Sequence, residues 1–388
     1  MLKIEEALQV INDQQIELST EIRKLSDSLG FAVSSEIRAP FDMPDFDNSA
    51  MDGYALCGIS KEYQIIGEVA AGDAEELDLR EGEALRIFTG ARVPAAASAV
   101  MMQEKTRVEG EKLFLDELPK EGQCIRRKGG ELQKEQLVFD KGYTITPAGI
   151  GMIGALGMDQ VEVFKKPIIN LITTGNELVQ PGKAKDEGQI YESNSFAISA
   201  AAENFGFPVH KKHSLPDDFE QIKTGISKAL EQADILLLSG GISVGDYDFV
   251  KQALEENGVE EQFYKVFQKP GKPLYFGRKA NKFVFALPGN PASSLSCFYI
   301  YVLPFLQQFS GFQQEGLLKF QFPLKEPYYN RSDRPSFLKA KIENDEVRIL
   351  DGQASSMILS MAYANALAFI DAETNLQIGD LITCYLIG

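Results

Sequence analysis

One stretch in the second half of the chain constrains the fold more than any other. The apolar run from Ile235 to Leu238 predicts a buried parallel strand. Ser239-Gly240-Gly241 follows it directly, and a helical pattern begins near Phe249. A strand, a glycine-rich turn and a helix start form an arrangement in which α/β proteins bind phosphates and other anions, because main-chain N–H groups and the helix dipole face the ligand there.

Two acidic residues, Asp246 and Asp248, stand at the mouth of this predicted turn. Acids beside an anion site favour a bridging divalent cation, because Mg2+ prefers carboxylate and phosphate oxygens as ligands. The alternative is that Asp246 caps the helix and Asp248 is an ordinary first-turn acid. This stretch alone leaves both interpretations open.

The surrounding sequence alternates between strand-like and helix-like patterns. The predicted strands cover 168–173, 209–214, 235–238, 263–267, 273–276 and 283–287. The predicted helices cover 194–205, 217–232, 249–257 and 292–309. Such alternation predicts a doubly wound α/β sheet, in which ligands bind at the carboxyl ends of the strands. Gly175 and Glu177 follow one of these strands, and Gly289 and Asn290 follow another.

The rest of the chain predicts further domains around this sheet, so the fold class is multidomain α/β. Residues 1 to about 35 have helical periodicity, including a second helix from Glu17 to Leu29, whereas 63–118 contains short alternating strands. The predicted domains are a discontinuous N-terminal mixed α/β domain at 1–38 and 130–165, an inserted small β domain at 39–129, the doubly wound α/β domain at 166–312 and a C-terminal β domain at 313–388.

Composition narrows the function. No apolar run approaches the roughly 20 residues that span a bilayer, and four scattered cysteines without a CxxC pair predict reduced thiols in the cytoplasm. The formal net charge of −17 argues against nucleic-acid or membrane-surface binding. The two histidines, His210 and His213, flank two lysines and are predicted to lie on an exposed strand end rather than to bind a metal. Carboxylates and lysines are therefore expected to carry the chemistry.

Clustered lysines are informative in so acidic a chain. Lys265 and Lys269 are an even number of residues apart, so they share a face if the backbone is extended. Pro270-Gly271 then turns the chain and returns Lys272 to the same place. Three converging ammonium groups predict an oxyanion site. The alternative is that all three are solvated surface lysines.

Six short motifs occur in a fixed order along the chain. They are Asp-Asn-Ser-Ala-Met-Asp-Gly-Tyr-Ala (47–55), Phe-Thr-Gly-Ala (88–91), Thr-Gly-Asn-Glu-Leu (174–178), Ser-Gly-Gly-Ile-Ser-Val-Gly (239–245), Lys-Pro-Gly-Lys-Pro (269–273) and Leu-Pro-Gly-Asn-Pro (287–291). Together they resemble the MoeA family, the molybdopterin molybdenumtransferases, which includes the E domain of gephyrin. The resemblance covers essentially the whole chain.

The resemblance implies an elongated homodimer in which the doubly wound domain of one subunit, as the molybdopterin-binding domain, faces the inserted domain of the other. It implies that molybdenum from molybdate is placed on the dithiolene of adenylylated molybdopterin, with release of AMP and assistance from Mg2+. A molybdopterin adenylyltransferase would supply the substrate, and acceptor molybdoenzymes would receive the product. No nucleic-acid or membrane partner is expected.

The resemblance also assigns roles to residues at matching positions. The implied catalytic residues are Asp52, Thr89, Asp217, Asp248, Lys265 and Lys269. The implied substrate-binding residues are Thr174, Gly175, Asn194, Ser239, Gly240, Gly241, Lys272, Gly289, Asn290, Arg334, Lys339 and Ser355. The implied ligands of Mg2+ are Glu177, Asp217 and Asp248.

The chain departs from the family pattern in three places, one of them a pair of residues. Lys339 stands where an Arg-x-x-Phe-x-Arg strand usually ends in arginine, which keeps the charge but loses bidentate geometry. Gly130-Glu131 replaces an acidic Glu-Asp pair, and Asn176 replaces a more usual aspartate, which removes one charge near the expected metal. These departures bear on affinity more than on the type of reaction.

Three other functions stay open at this point. A molybdopterin adenylyltransferase uses a similar α/β domain but lacks the inserted and C-terminal domains predicted here. A non-catalytic scaffold would leave the predicted acids without a purpose. A relative that has lost activity, or that prefers tungstate, is left open by Lys339 and Asn176, since the two oxyanions are nearly isosteric.

Overall fold

The computed structural model describes residues 1–73, 78–242, 249–313 and 316–387. The chain forms two compact units. The main unit comprises Met1–Ser34, Gly142–Ile150 and Gln160–Gly388, and the inserted unit comprises Ser35–Lys141 and Gly151–Asp159. The multidomain α/β class predicted from the sequence is confirmed.

The helices lie mostly where periodicity predicts them. They span Ile4–Asn12, Pro147–Ala155, Asn194–Asn204, Phe219–Gln232, Phe249–Glu256, Pro291–Cys297, Leu303–Phe309 and Ile358–Tyr363. A π-helical turn, Phe298–Val302, joins two of them into one continuous helical segment from residue 291 to 309. Among the described residues, no helix is both long enough and apolar enough to cross a membrane.

A six-stranded central sheet organises the main unit. Its strands follow the spatial order Val209–Leu215, Ile169–Thr174, Ile235–Ser239, Lys282–Leu287, Tyr275–Lys279 and Glu260–Tyr264. The first four are parallel and the last two are antiparallel additions at one edge. Every residue of the second and third strands is buried, as expected for apolar runs covered on both faces.

Helices cover both faces of the central sheet, which makes it doubly wound. Ile222, Ile226 and Leu230 recur every four residues on one helix and pack with Val250 and Leu254 of the next. The helical segment from 291 to 309 packs on the opposite face together with the N-terminal helix. Burying apolar side chains on both faces supplies the main favourable free energy of folding.

The carboxyl ends of three parallel strands meet at one edge of the sheet. Ser239 is paired in register with Thr173 on one side and with Leu287 on the other. The segments that follow these strands therefore leave the sheet side by side, and they carry the glycine-rich turns predicted from the sequence. This edge is where a doubly wound sheet binds ligands.

The turn after the Ile235–Ser239 strand requires glycine at two consecutive positions. Gly240 and Gly241 have φ angles of +93° and +65°. A Cβ atom on Gly240 would lie 2.4 Å from the carbonyl oxygen of Thr174, and one on Gly241 would lie 2.5 Å from a methyl group of Val250. The close approach of the Thr174 strand end and of the Phe249–Glu256 helix, at backbone angles that favour glycine, explains why neither position accepts a side chain.

The C-terminal part of the main unit is an antiparallel sheet. Its strands follow the order Lys319–Pro323, Leu381–Leu386, Ala366–Ile370, Ser336–Glu343 and Glu346–Ile349. Tyr328–Tyr329 and Asn375–Leu376 form a further short pair. Lys269 pairs with Ser336, which joins this sheet to the segment that follows the central sheet's edge strand Glu260–Tyr264.

The inserted unit has a six-stranded sheet of its own. Its strands follow the order Ala99–Met102, Gly53–Leu56, Glu83–Ile87, Glu62–Val69, Lys112–Leu115 and Thr106–Glu109. Two shorter pairs join Asn48–Ser49 to Ile125–Arg126 and Ile37–Arg38 to Leu137–Phe139. The predicted strands between 63 and 118 are confirmed.

The predicted second helix, Glu17 to Leu29, is wrong. Thr20–Lys24 is a strand that pairs with Gln160–Phe164, and Leu25–Asp27 is a short 3-10 turn. Ile22, which a helical pattern would bury, is 71% exposed. Pairing with a distant strand satisfies the backbone here, and tertiary context overrides the local helical preference.

Candidate functional site

A polar cleft of about 770 Å3 opens at the carboxyl edge of the central sheet. The structure brings ten of the predicted site residues together in its lining: Thr174, Gly175, Glu177, Asn194, Asp217, Ser239, Gly240, Gly241, Gly289 and Asn290. Asp248, with Asp246, lies outside the described residues. The strands, the glycine turns and the start of the Asn194–Asn204 helix together position this set.

A hydrogen-bond network holds the floor of the polar cleft. The Asn194 amide donates to the Ser239 hydroxyl oxygen at 2.9 Å and to the Gly289 carbonyl at 2.7 Å. The Asn194 Oδ1 and Thr174 Oγ1 atoms are buried and have no hydrogen-bond partner among the described residues. Buried polar atoms without partners are costly, so these two atoms fit a site that a polar ligand completes.

Asp217 is oriented by its neighbour in space, Asn176. The Asp217 main-chain N–H donates to the Asn176 side-chain oxygen at 3.0 Å, and the Asn176 N–H donates to the Asp217 carboxylate at 3.3 Å. Asn176 therefore keeps the acceptor that the more usual aspartate would supply. It lowers the local negative charge without losing this contact.

The cleft also contains an acid that sequence reasoning missed. Glu192 is 1% exposed, and its carboxylate accepts hydrogen bonds from the Ser195 N–H at 2.8 Å and the Ser195 hydroxyl at 2.5 Å. It caps the start of the Asn194–Asn204 helix. An acid three residues before serine at a helix start is a signal of capping, but its place in the cleft depends on the fold.

The charges of the cleft fit a divalent cation. Three acids line it, namely Glu177, Glu192 and Asp217, and none of the described lining residues is a lysine, arginine or histidine. A phosphate ligand would be repelled here without a cation between the acids and itself. Glu177 and Asp217 are exposed and would hold Mg2+. The described residues include no cluster of three or more potential metal ligands. Asp248, the third predicted ligand, lies outside the described residues.

The lysine turn, Lys265–Lys272, contrasts with the cleft in charge. The prediction that Lys265 lies on an extended chain is wrong, because its φ angle is +73°. The turn closes instead through a hydrogen bond from the Val266 N–H to the Lys272 carbonyl at 3.0 Å. The main chains of Lys265 and Lys272 are therefore adjacent, and the Lys265 ammonium lies 4.6 Å from the ring centre of Tyr264.

Lys269 and Arg334 are brought together at the tip of the lysine turn. The Lys269 N–H donates to the Pro335 carbonyl at 2.9 Å, and the Phe337 N–H donates to the Lys269 carbonyl at 2.8 Å. Arg334 donates from Nη1 to the Gln268 carbonyl at 3.3 Å. Lys269 and Lys272 are exposed, so their ammonium groups are available to an anion from solvent.

A buried network supports the lysine turn from beneath. The Gln268 side chain is 1% exposed, donates to the Gly271 carbonyl at 3.1 Å and contacts the Cys297 thiol at 3.6 Å. The Tyr301 hydroxyl donates to the side-chain oxygen of Gln268. The turn is thus anchored to the helical segment whose first residue, Pro291, adjoins the polar cleft.

The two remaining predicted residues of this unit, Lys339 and Ser355, have different environments. Ser355 is partly exposed and accepts a hydrogen bond from the Asn290 amide at 3.0 Å, which places it beside the cleft. Lys339 is 3% exposed. Its ammonium group is enclosed by main-chain carbonyls, and burial lowers its pKa.

Asp52 and Thr89 form a pair within the inserted unit. One oxygen of the Asp52 carboxylate accepts hydrogen bonds from the Thr89 N–H and the Thr89 hydroxyl, both at 2.8 Å. These two bonds lower the pKa of Asp52. The pair is exposed, and the threonine oxygen keeps its lone pairs for a ligand.

A doubly wound sheet with a cleft at the carboxyl ends of its strands places this domain in the class of open α/β proteins, which bind their ligands at that edge. Three family models match the chain: the MoeA N-terminal region (domains I and II) at 2–157, a probable molybdopterin binding domain at 170–308 and the MoeA C-terminal region (domain IV) at 321–387. The chain belongs to the MoeA family and is a molybdopterin molybdenumtransferase-type enzyme of molybdenum cofactor biosynthesis.

Named relatives and solved structures agree with this assignment. The chain is 36% identical over 300 residues to the molybdopterin molybdenumtransferase of Haemophilus influenzae, covering 76% of this chain and 74% of the relative. It is 33% identical over 356 residues to molybdopterin molybdenumtransferase 2 of Mycobacterium tuberculosis, covering 86% and 84%. The crystal structure of the molybdopterin biosynthesis MoeA protein from Pyrococcus horikoshii matches all of both chains with a TM-score of 0.84 and 29% identity.

Proposed function

We propose that this enzyme inserts molybdenum from molybdate into adenylylated molybdopterin and releases AMP. The observation that carries the proposal is the pairing of an acidic cleft with a basic lysine turn on one helical segment. The cleft suits the nucleotide and its phosphoanhydride, and the lysine turn suits a small oxyanion. In the reaction two molybdenum–sulfur bonds form as one molybdenum–oxygen bond and the two S–H bonds of the dithiolene thiols break, so that the oxygen leaves as water. A water molecule cleaves the phosphoanhydride bond, and AMP is the leaving group.

Each region then has a defined task. The phosphates bind to Thr174, Asn194 and the Gly240-Gly241 turn. The ligand or its hydration shell provides hydrogen-bond partners for the buried Thr174 Oγ1 and Asn194 Oδ1 atoms. Glu177 and Asp217 would hold Mg2+, which supplies charge neutralisation at the phosphoanhydride. Lys265 and Lys269 attract molybdate and balance the negative charge that develops as AMP leaves.

We also propose a homodimer in which the inserted unit of one subunit presents Asp52 and Thr89 to the cleft of the other. The exposure of this ordered pair supports the proposal, since two hydrogen bonds fix a hydroxyl that contacts solvent. A molybdopterin adenylyltransferase would deliver the substrate, and an acceptor molybdoenzyme would take the product. The four free cysteines support a reducing compartment, the cytoplasm.

Single-turnover conversion of adenylylated molybdopterin tests the reaction. The enzyme is mixed with this substrate and Mg2+, with and without molybdate, and AMP release and activation of an apo-molybdoenzyme are followed together. We expect AMP release that requires molybdate and is accompanied by active cofactor. Nucleotide binding without release at any molybdate concentration would contradict the proposal and favour an adenylyltransferase-like or purely binding role.

A further inference from the structure

All three N–H donors of the Lys339 ammonium group are hydrogen-bonded within the protein. Lys339 lies in the Ser336–Glu343 strand and donates from Nζ to the carbonyl oxygens of Gly352 at 2.5 Å, Ala354 at 3.1 Å and Met357 at 3.1 Å. A lysine ammonium has three N–H donors, so these three bonds use all of them. No donor is left for a substrate oxyanion.

The main chain of Lys339 is fastened to the same segment. Its N–H donates to the Gln353 side-chain oxygen at 3.0 Å, and the Gln353 amide donates to the Lys339 carbonyl at 2.8 Å. We call the segment from Gly352 to Met357 the serine loop. Two independent sets of bonds, one from Nζ and one from Gln353, thus tie the serine loop to one position of one strand.

The other side of the serine loop reaches the polar cleft. The Ser355 hydroxyl accepts from the Asn290 amide at 3.0 Å, and the Ser355 carbonyl accepts from the Ala292 N–H at 3.1 Å. Ser356 lines the cleft itself. The serine loop therefore connects Lys339 to the first turn of the Pro291–Cys297 helix, whose first residue lines the cleft and whose last residue contacts the lysine turn.

We propose that Lys339 is a positioning residue that acts on the site through the serine loop and makes no contact with molybdate. The inference deepens the proposed function and rests on it where activity is concerned. A buried charge is tolerated only with partners, and here three carbonyls serve as those partners. The cations that contact the oxyanion are then those of the lysine turn and Arg334.

Amide hydrogen exchange tests the contact itself, without any substrate. In Lys339→Met three carbonyl oxygens of the serine loop lose the ammonium group that donates to them, and we expect exchange at the Ala292 N–H to accelerate by about tenfold or more. Exchange within the Ile235–Ser239 strand should stay at the wild-type rate. Lys341→Met is the matched control, because Lys341 lies on the same strand, is partly exposed and pairs with Glu343 at 2.6 Å.

A double-mutant cycle with Ser355→Ala tests how Lys339 acts on the reaction. A positioning role predicts that Lys339→Met raises the KM for molybdate by a smaller factor in the Ser355→Ala background than in the wild-type background, because Ser355→Ala already removes one of the loop's bonds to the cleft. A direct ammonium–oxyanion contact predicts the same fold-change in both backgrounds, which would overturn the proposal. Gln353→Leu, which frees the loop from its other attachment, should reproduce the exchange result if Lys339→Met folds poorly.

The two experiments separate this inference from the proposed reaction. Fast exchange at Ala292 in Lys339→Met supports the fastening role even if AMP release proves independent of molybdate. Wild-type exchange at Ala292 in both Lys339→Met and Gln353→Leu would overturn the inference whatever the activity shows.

Discussion

The polar cleft and the lysine turn lie in the same unit but carry side-chain charges of opposite sign. Three acids and no described basic side chain line the cleft, whereas three lysines and Arg334 surround the turn. A cation between the acids and a phosphate would offset their repulsion in the cleft, whereas the positive charges of the turn attract an anion directly. On the function proposed above, the cleft would bind its ligand together with Mg2+ and the lysine turn would bind an anion without it, although both adjoin the helical segment that begins at Pro291.

The largest effect is expected from Lys269→Ala, which removes an exposed charge at the tip of the lysine turn. Molybdate-dependent AMP release should fall by roughly 100-fold or more, because preorganised charge at the reacting group is lost. Binding of AMP with Mg2+, measured by calorimetry, should be unchanged. Lys279→Ala removes an exposed lysine from the central sheet and should behave like wild type. Equal losses in both variants would mean that overall charge matters rather than the turn.

Gly240→Ala should break the cleft while leaving the lysine turn intact. The added Cβ would lie 2.4 Å from the Thr174 carbonyl oxygen at a φ of +93°. We expect AMP binding to weaken by roughly tenfold or more and the free energy of unfolding in urea to fall by about 1–3 kcal/mol.

Gly379→Ala is the control for Gly240→Ala. Its φ is +87°, but no atom lies within 4 Å of the added Cβ. This variant therefore introduces backbone strain without a steric clash, and AMP binding should stay at the wild-type affinity. If the two variants lose affinity equally, the close contact with Thr174 has no special role.

Asn176→Asp should strengthen ligand binding in the cleft, whereas Gly240→Ala should weaken it. The carboxylate keeps an acceptor for the Asp217 N–H, which bonds Asn176 at 3.0 Å, and adds a negative charge to the cleft. The Mg2+ concentration for half-maximal AMP binding should fall by about threefold, the size expected for one added charge at an exposed site. Molybdate binding in the absence of Mg2+ should not change. Asn204→Asp, on an exposed helix end, should leave both titrations as they are.

The fold was predictable where local pattern and burial coincide. Ile235 to Leu238 is an uninterrupted apolar run, and every residue of the resulting strand is buried. The Thr20–Lys24 strand was not predictable in the same way. Its partner, Gln160–Phe164, is about 140 residues distant in the sequence, and only the folded chain provides the hydrogen bonds that override the helical pattern.

The candidate site was predictable where it consists of turns at strand ends. Ten predicted residues meet in the cleft because parallel strands end at one edge. Lys339 is different, since its burial depends on carbonyls supplied 13 to 18 residues later by a loop. The sequence shows that this motif contains a basic residue. Only the structure shows which carbonyl oxygens accept the hydrogen bonds of its ammonium group.

The smallest effect on the cleft and on the lysine turn is expected from substitution of Lys166, which belongs to neither of them. It is therefore a reference for the effect of removing a lysine elsewhere. Its ammonium lies 4.3 Å from the Phe31 ring centre and donates to the Gly206 carbonyl at 2.9 Å. Burial, with a smaller contribution from Arg23, lowers the pKa of Lys166 from 10.5 to about 8. Lys166→Met should leave AMP and molybdate binding unchanged.

The pH dependence of stability should reveal Lys166 instead. Below about pH 8 this lysine is charged in both states, and the folded state bears the full cost of burying the charge. Between about pH 8 and 10.5 the unfolded state binds more protons than the folded state, so this residue's contribution makes stability rise with pH. Burial of Cys297 raises its thiol pKa to about 12 and gives an opposite slope at high pH, so the measurement is the difference between wild type and Lys166→Met in urea. A difference that stays constant from pH 7 to 10 would show that Lys166 keeps an ordinary pKa.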